Sequence, residues 1–334
     1  VSHSMFCCLF INCSKIKTAR GLSPTSTLTT ASGLAVSRYG LGGAARTTQP
    51  SNLVSRYVDI LLQEKNDDGA PFLFYYNPHR YPKFMAGIQQ ICSDVENRKN
   101  LFVASGGHDL TISGLDQRLD DCLKYCGGDY LDLFVLEYIL PSELIPLNDK
   151  DDGSFEPGPK LVSALQHITQ TWLKQQKRIR YIGISTHSHV VGKVISECFP
   201  EVNIVMLRYG MSHKEAAEKI SFPAARANKK TILVFTSTRW NSLLEPKEDN
   251  TSPPPPTSAD CLSFVFGSDA SPSPVHAVLH SARDETELME SMSGLRHLTE
   301  EESQKWRNYG EPMEVSNDDY FDEFPEERLL VAKD

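Results

Sequence analysis

Apolar residues along this chain alternate between two rhythms. Short runs in which nearly every position is apolar occur at 72–76, 101–105, 129–136, 179–185, 203–208, 231–236 and 277–280. Their length and near-continuous apolarity predict strands buried on both faces. Between them the apolar spacing becomes helical. Leu53, Val54, Tyr57, Val58, Leu61 and Leu62 share one face over 51–62, and Leu161, Leu165, Ile168 and Trp172 share another. Further helices are expected over 82–95, 190–198, 213–228 and 259–267, the first with Pro82 in its opening turn. Ser113 with Asp116 reads as a capping pair for a helix carrying Leu115, Leu119 and Leu123, and Gly69 as the glycine ending the 51–62 helix. Ahead of these, 32–43 reads as a turn, a short strand and a glycine-rich exit.

Counting the 32–43 strand, eight strand–helix pairs emerge, and eight pairs close a parallel barrel. An open doubly wound sheet would carry a G-x-G-x-x-G turn after its first strand, and none occurs. The expected fold class is therefore α/β, a (β/α)8 barrel in one domain with irregular N- and C-terminal extensions. Residues 1–27 form the first extension, 28–307 the barrel and 308–334 the tail. The run around Pro253 to Pro256 interrupts the repeat, and 245–258 is expected to be a loop insertion.

Composition narrows the class. The chain has 334 residues, 40% hydrophobic and 23% charged, enough for a large core. No acid precedes Asp59, whereas 311–334 sets nine acids against Arg328 and Lys333. Neither end interleaves aromatics with bases, so no nucleic-acid partner is expected. The apolar run at 5–11 is too short to span a bilayer, so no membrane partner is expected either. Residues 1–30 are Ser/Thr-rich, weakly basic and acid-free, which fits an organelle transit peptide. Eight cysteines without the spacing of a disulfide framework or a zinc ribbon point to reduced thiols and an intracellular setting, cytoplasm or organelle. His187 and His189 have no third partner nearby in sequence, so no metal is expected.

Four segments carry a resemblance: TTASGLAVSRYGLGG at 29–43, LDQRLDDCLKYCGGDYLDLFVLEY at 115–138, RIRYIGIS at 178–185 and VLHSARDETELMES at 278–291. In order and spacing the chain resembles the aldo-keto reductase superfamily. The resemblance implies NADPH as cofactor and hydride transfer to a small carbonyl or enone, with a tyrosine protonating the oxygen beside a lysine, an aspartate and a histidine. Here the usual aspartate position is Phe74, the lysine position Gly106 and the histidine position Glu137; strict counting puts His79 at the tyrosine, with Tyr81 and Tyr76 nearby. A glutamate also stands in the histidine position of relatives that reduce steroid carbon–carbon double bonds. The candidate proton-handling residues are Glu137, Tyr81 and Tyr76, since a carboxyl in an apolar strand mouth can be held neutral and donate.

For the cofactor the resemblance points to Ser185 near the nicotinamide amide, Ser281 and Arg283 at the 2′-phosphate, and Glu287 at adenine. The usual stacking tyrosine is Thr236, and Arg239 and Trp240 just beyond are candidates to replace that surface. Arg208, at the end of the sixth strand, is a candidate either to hold an anionic substrate group or to pair with Glu137. Two other readings stay open: a catalytically silent barrel that keeps nucleotide binding, and a non-redox lyase or isomerase built on Glu137 and Arg208.

Overall fold

The computed structural model describes residues 22–43, 49–63, 69–75, 79, 81–147, 154–245 and 254–315. Of the segments read from sequence, residues 1–21 of the transit-peptide stretch, Tyr76, 246–253 of the insertion and 316–334 of the acidic tail fall outside the described residues. Strands β1 (Thr25–Thr29) and β2 (Ala35–Gly42) form an antiparallel hairpin, and helix α1 (Asn52–Gln63) follows. Then come β3 (Ala70–Tyr75), α2 (Pro82–Cys92), α3 (Val95–Lys99), β4 (Phe102–Gly107), α4 (Ile112–Tyr125) and β5 (Leu131–Leu136). A small hairpin of β6 (Leu144–Pro146) and β7 (Phe155–Pro157) leads to α5 (Pro159–His167) and β8 (Ile179–Thr186). The chain continues through α6 (His189–Cys198), β9 (Ile204–Arg208), α7 (Phe222–Ala227), β10 (Thr231–Phe235), α8 (Ser258–Phe264), β11 (Ala277–His280), α9 (Glu285–Gly294) and α10 (Glu300–Val315).

Eight strands pair in parallel in the order β2-β11-β10-β9-β8-β5-β4-β3, and β3 returns to β2, closing the (β/α)8 barrel. Strands β3, β4 and β5 are buried at every residue, because side chains pointing inward and outward are both covered. The inner layer gathers Phe72, Phe102, Leu133, Ile204 and Leu233; the outer layer packs the strands against the helices. At the base, Leu28 of β1 joins the inner layer, so the hairpin plugs that end. A buried ion-pair group sits there too. Asp132 accepts from Arg98 Nη1 and Arg180 Nη1, both at 2.7 Å, and from the Val103 amide at 3.0 Å.

Several local expectations are corrected. The cap of α4 is Thr111, whose hydroxyl accepts from the Gly114 amide; Asp116 instead accepts from His167 and Trp172 Nε1. Gly69 lies beyond the end of α1 and opens β3 with φ +91°, where a Cβ would stand 2.8 Å from the Ser37 amide nitrogen. The helix expected over 82–95 breaks after Cys92, since Asp94 caps a new one by accepting from the Glu96 and Asn97 amides. The expected 213–228 helix contains a π-turn at Ala217–Ser221 just before Pro223, which has no N–H to continue the ladder. β1 starts inside the expected N-terminal extension, and α10 runs past 307. No described helix is long and apolar enough to cross a membrane.

Candidate active site

The C-terminal ends of the strands open into one cavity of about 450 Å³. Glu137 and Tyr138 enter it beyond β5, Ser185 and His187 from β8, Met206 from β9, and Phe235 from β10. On the opposite wall stand Gly42 and Gly43 of the β2 exit, His280 and Ser281 of the β11 exit, and Arg283 just before α9. Six sequence candidates share this space: Glu137, Tyr81, Ser185, Trp240, Ser281 and Arg283.

Glu137 is 2% exposed, and neither carboxylate oxygen has a hydrogen-bond partner among the described residues. Burial pushes its pKa well above the usual carboxyl range, against an opposing pull from the positive charge of Arg118. Burial without a hydrogen-bond partner thus favours the protonated form of this carboxyl. Its placement depends on β4. The Glu137 amide donates to the Gly107 carbonyl at 2.8 Å, and a Cβ at Gly106 would lie 3.1 Å from Glu137 Cγ and 1.9 Å from the Val135 carbonyl oxygen. Gly106 and Glu137 are thus one packing arrangement, the glycine leaving room for the glutamate side chain. Phe74 is buried in the inner layer and reaches the cavity.

Arg208 does not hydrogen-bond Glu137. Its Nη2 meets His213 Nε2 at 3.1 Å and its guanidinium lies over the Trp240 ring at 5.4 Å. That corrects the expected pairing, for Arg208 turns toward His213 and Trp240, in the turns after β9 and β10, rather than toward Glu137.

Tyr81 immediately precedes α2, its carbonyl accepting from the Met85 amide, and its ring packs where a Gly43 Cβ would stand 2.9 Å away. His79, the residue found by strict counting, is not in the cavity lining; it lies 4.0 Å from Asp121 and edge-on to Tyr125. Tyr138 (φ +57°) is edge-on to His187, which in turn faces Phe235. Trp240 is 53% exposed on the rim, and Arg239, Trp240 and Asn241 all have positive φ. Such backbone is costly for large side chains, so the surroundings hold this turn in place. Arg239 itself is outside the lining.

Burial lowers His187 to a pKa of about 4 and His189 to about 3, with Arg208 adding to both. Both rings are neutral at pH 7, and His189 Nδ1 lies 2.9 Å from Ser221 Oγ. No group of three metal-binding side chains exists among the described residues. A pH dependence follows. In the unfolded chain these histidines take up protons near their ordinary value, so acidification from about pH 6.5 toward 4 favours unfolding. Glu137 acts in the opposite sense, since its raised pKa makes stability fall as pH climbs above the ordinary carboxyl range. The unfolding free energy from urea titration is expected to fall on acidification by an amount on the order of a few kcal/mol, and less steeply in His189→Gln.

Ser185 Oγ accepts from the Tyr138 amide at 3.4 Å, and Ser281 Oγ donates to the Gly43 carbonyl at 3.3 Å. Arg283 is half exposed, and its Nε donates to Glu287 Oε2 at 2.7 Å. Glu287 also accepts from the Arg283 amide at 3.0 Å and sits 3.4 Å from His280 Nε2. Burial would raise its pKa, but bonds from His280 and Arg283 outweigh that and bring it to about 2. Glu287 lies outside the cavity lining, behind Arg283. Phe235 and His280 are site residues that the sequence did not single out; their signal was position, each standing at a strand end. Tyr138, open in sequence between pocket wall and ordinary packing, lines the cavity.

Sequence comparison matches the chain to no family model and to no curated relative. Solved structures give a clear answer on the fold. An aldose reductase from Giardia lamblia is 13% identical, with 83% of this chain and 93% of that one covered at TM-score 0.59. An aldo-keto reductase of the silkworm Bombyx mori is 12% identical, with 86% and 88% covered at 0.60. An aldo-keto reductase from Bacillus halodurans, in its holo form, is 15% identical, with 86% and 96% covered at 0.56. The chain has the fold of the aldo-keto reductases.

Proposed function

We propose that the protein is a divergent aldo-keto reductase, an NADPH-dependent oxidoreductase acting on a small carbonyl or enone, with Glu137 as the proton donor. The observation that carries this is the continuity of the cavity, which joins Glu137 and Ser185 at one end to Ser281 and Arg283 at the other. The residues fit a dinucleotide. Gly42 and Gly43 keep the wall open, since a Cβ at Gly42 would stand 3.2 Å from Ser281 Oγ. Arg283 engages Glu287 through Nε alone, leaving Nη1 and Nη2 to meet a phosphate. Trp240 offers a flat apolar face at the rim, and Ser185 a hydroxyl for an amide.

A bound reduced nicotinamide supplies hydride to the substrate carbon. Glu137 holds the proton for the substrate oxygen, and Tyr81 walls the approach beside Gly43. Phe74, Phe235 and Met206 exclude water, which keeps the carboxyl neutral until it donates. We also propose the division into N-terminal extension, barrel and acidic tail, and an intracellular setting. The latter is supported by Cys92, Cys122, Cys126 and Cys261, which are buried free thiols.

The second reading is a silent barrel that keeps the nucleotide, favoured by the absence of a strand-borne lysine at Gly106. Absorbance of NADPH against a panel of carbonyls and enones separates the two. The enzyme reading expects turnover that falls about a hundredfold or more in Glu137→Gln. Binding without turnover of any substrate leaves the silent barrel. The lyase or isomerase reading has less support, because no hydrogen bond joins Arg208 to Glu137 among the described residues.

A further inference from the structure

A buried acid that donates its proton leaves a buried carboxylate, and a carboxylate without a nearby cation is strongly disfavoured. Strand β4, which would ordinarily bring a lysine, ends in Gly106 and Gly107. The second glycine has a neighbour from outside the barrel. A Cβ at Gly107 would stand 2.7 Å from Arg118 Cγ and 2.9 Å from Arg118 Nε, so the arginine side chain from α4 lies directly against that strand end. Gly106 makes room for Glu137 Cγ in the same way, and the Gly107 carbonyl receives the Glu137 amide. Successive strand residues face opposite ways, so Arg118 packs on the outer face of the residue whose carbonyl receives the Glu137 amide, one residue from the glycine that admits Glu137.

The other ionisable groups around Glu137 supply no charge. Cys122, also on α4, is a thiol pushed up to about 12 by burial, and its Sγ donates to Ser105 Oγ at 3.2 Å. Tyr75 of β3 donates to the Cys122 carbonyl, and burial raises its pKa well above the ordinary value. His187 beyond β8 is neutral. Tyr81, before α2, lines the same cavity. Arg118 is the one described cation whose field acts on Glu137.

We propose that Arg118 is the counter-charge of this site, a positioning residue that acts from α4 across the end of β4 and steadies Glu137 as a carboxylate after it has given up its proton. The inference rests on the reading of Glu137 as proton donor. In that step the Glu137 O–H bond breaks and its proton forms the new O–H bond on the substrate oxygen. The carbonyl π pair supplies the electrons for that bond, the hydride from the reduced nicotinamide forms the new C–H bond, and a solvent proton later restores the acid.

The test is an infrared difference titration of the full-length protein, with the Glu137 carboxyl band assigned by its loss in Glu137→Gln. The wild type is expected to show a protonated carboxyl at neutral pH. Arg118→Gln is expected to raise its titration by roughly one pH unit, with the matching limb of the pH–rate profile moving the same way. Arg118→Lys is expected to restore both. Should Arg118→Gln fail to fold, Arg118→Met keeps the aliphatic shaft over Gly107 and carries the same expectation. An unchanged titration in the neutral variant, with the wild-type carboxyl protonated, overturns the counter-charge and leaves the proton donor standing. A wild type without that protonated carboxyl overturns both.

Discussion

Gly106→Ala is expected to destabilise the protein by about 3 kcal/mol or more, at the upper end of what overpacking costs. The new Cβ would stand 1.9 Å from the Val135 carbonyl oxygen and 2.8 Å from its carbon, and that neighbour is backbone, unable to rotate aside. Val135 is also the register partner of Gly106 across the β4–β5 ladder. Relief would require the two strands to part, and a closed barrel transmits that displacement to the strands on either side. Urea denaturation reads the effect as a lower midpoint at unchanged slope. Gly106→Lys meets the same obstruction and crowds Glu137 Cγ at 3.1 Å. It is therefore expected to lose stability without gaining activity. An unchanged midpoint in Gly106→Ala would mean that the β4–β5 approach is looser than described.

Asp132→Ala is expected to cost about 3–5 kcal/mol. Asp132 is fully buried and Arg98 nearly so, with the arginine also donating to the Tyr130 carbonyl at 3.0 Å and lying over the Tyr130 ring. Removing the carboxylate leaves a buried guanidinium uncompensated, frees the Val103 amide of its acceptor, and loosens Arg180, which also holds the Thr29 carbonyl of the basal hairpin. Asp132→Asn keeps the shape and one acceptor oxygen, so its loss is expected to be smaller. The group lies at the base of the barrel and is absent from the cavity lining. Cofactor affinity per folded molecule is accordingly expected to stay at the wild-type value in both variants, measured below their unfolding transitions.

The barrel was legible because its strands are buried on both faces and so appear as unbroken apolar runs, each followed by a helical repeat. The basal hairpin was not, since β1 is the run Thr25–Thr29, whose single large apolar residue, Leu28, gives no alternation to detect. The cap at Thr111 was missed because Ser113 offered the same chemistry two residues on; the choice was made by Asp109, which accepts from both the Thr111 amide and hydroxyl. In the site, Glu137 was legible as a carboxylate delivered by an apolar strand. Its unpartnered oxygens and the two glycines that admit it are facts of three dimensions. Arg118 was illegible for the same reason. Along the sequence it is one polar position on an amphipathic helix, and only the closeness of α4 to the end of β4 gives it a role. Arg208 was legible as a rim residue but not in its direction, because strand spacing does not say which neighbour a long side chain chooses.

NADPH-dependent turnover requires that the cavity take a dinucleotide between Glu137 and Arg283. The direct measurement is titration of the full-length protein into NADPH, followed by the fluorescence of the reduced nicotinamide. The expected result is a saturable change that weakens roughly tenfold in Arg283→Ala, where the charge-assisted contact to phosphate is lost. A folded protein that gives no saturable change with NADPH would contradict the account.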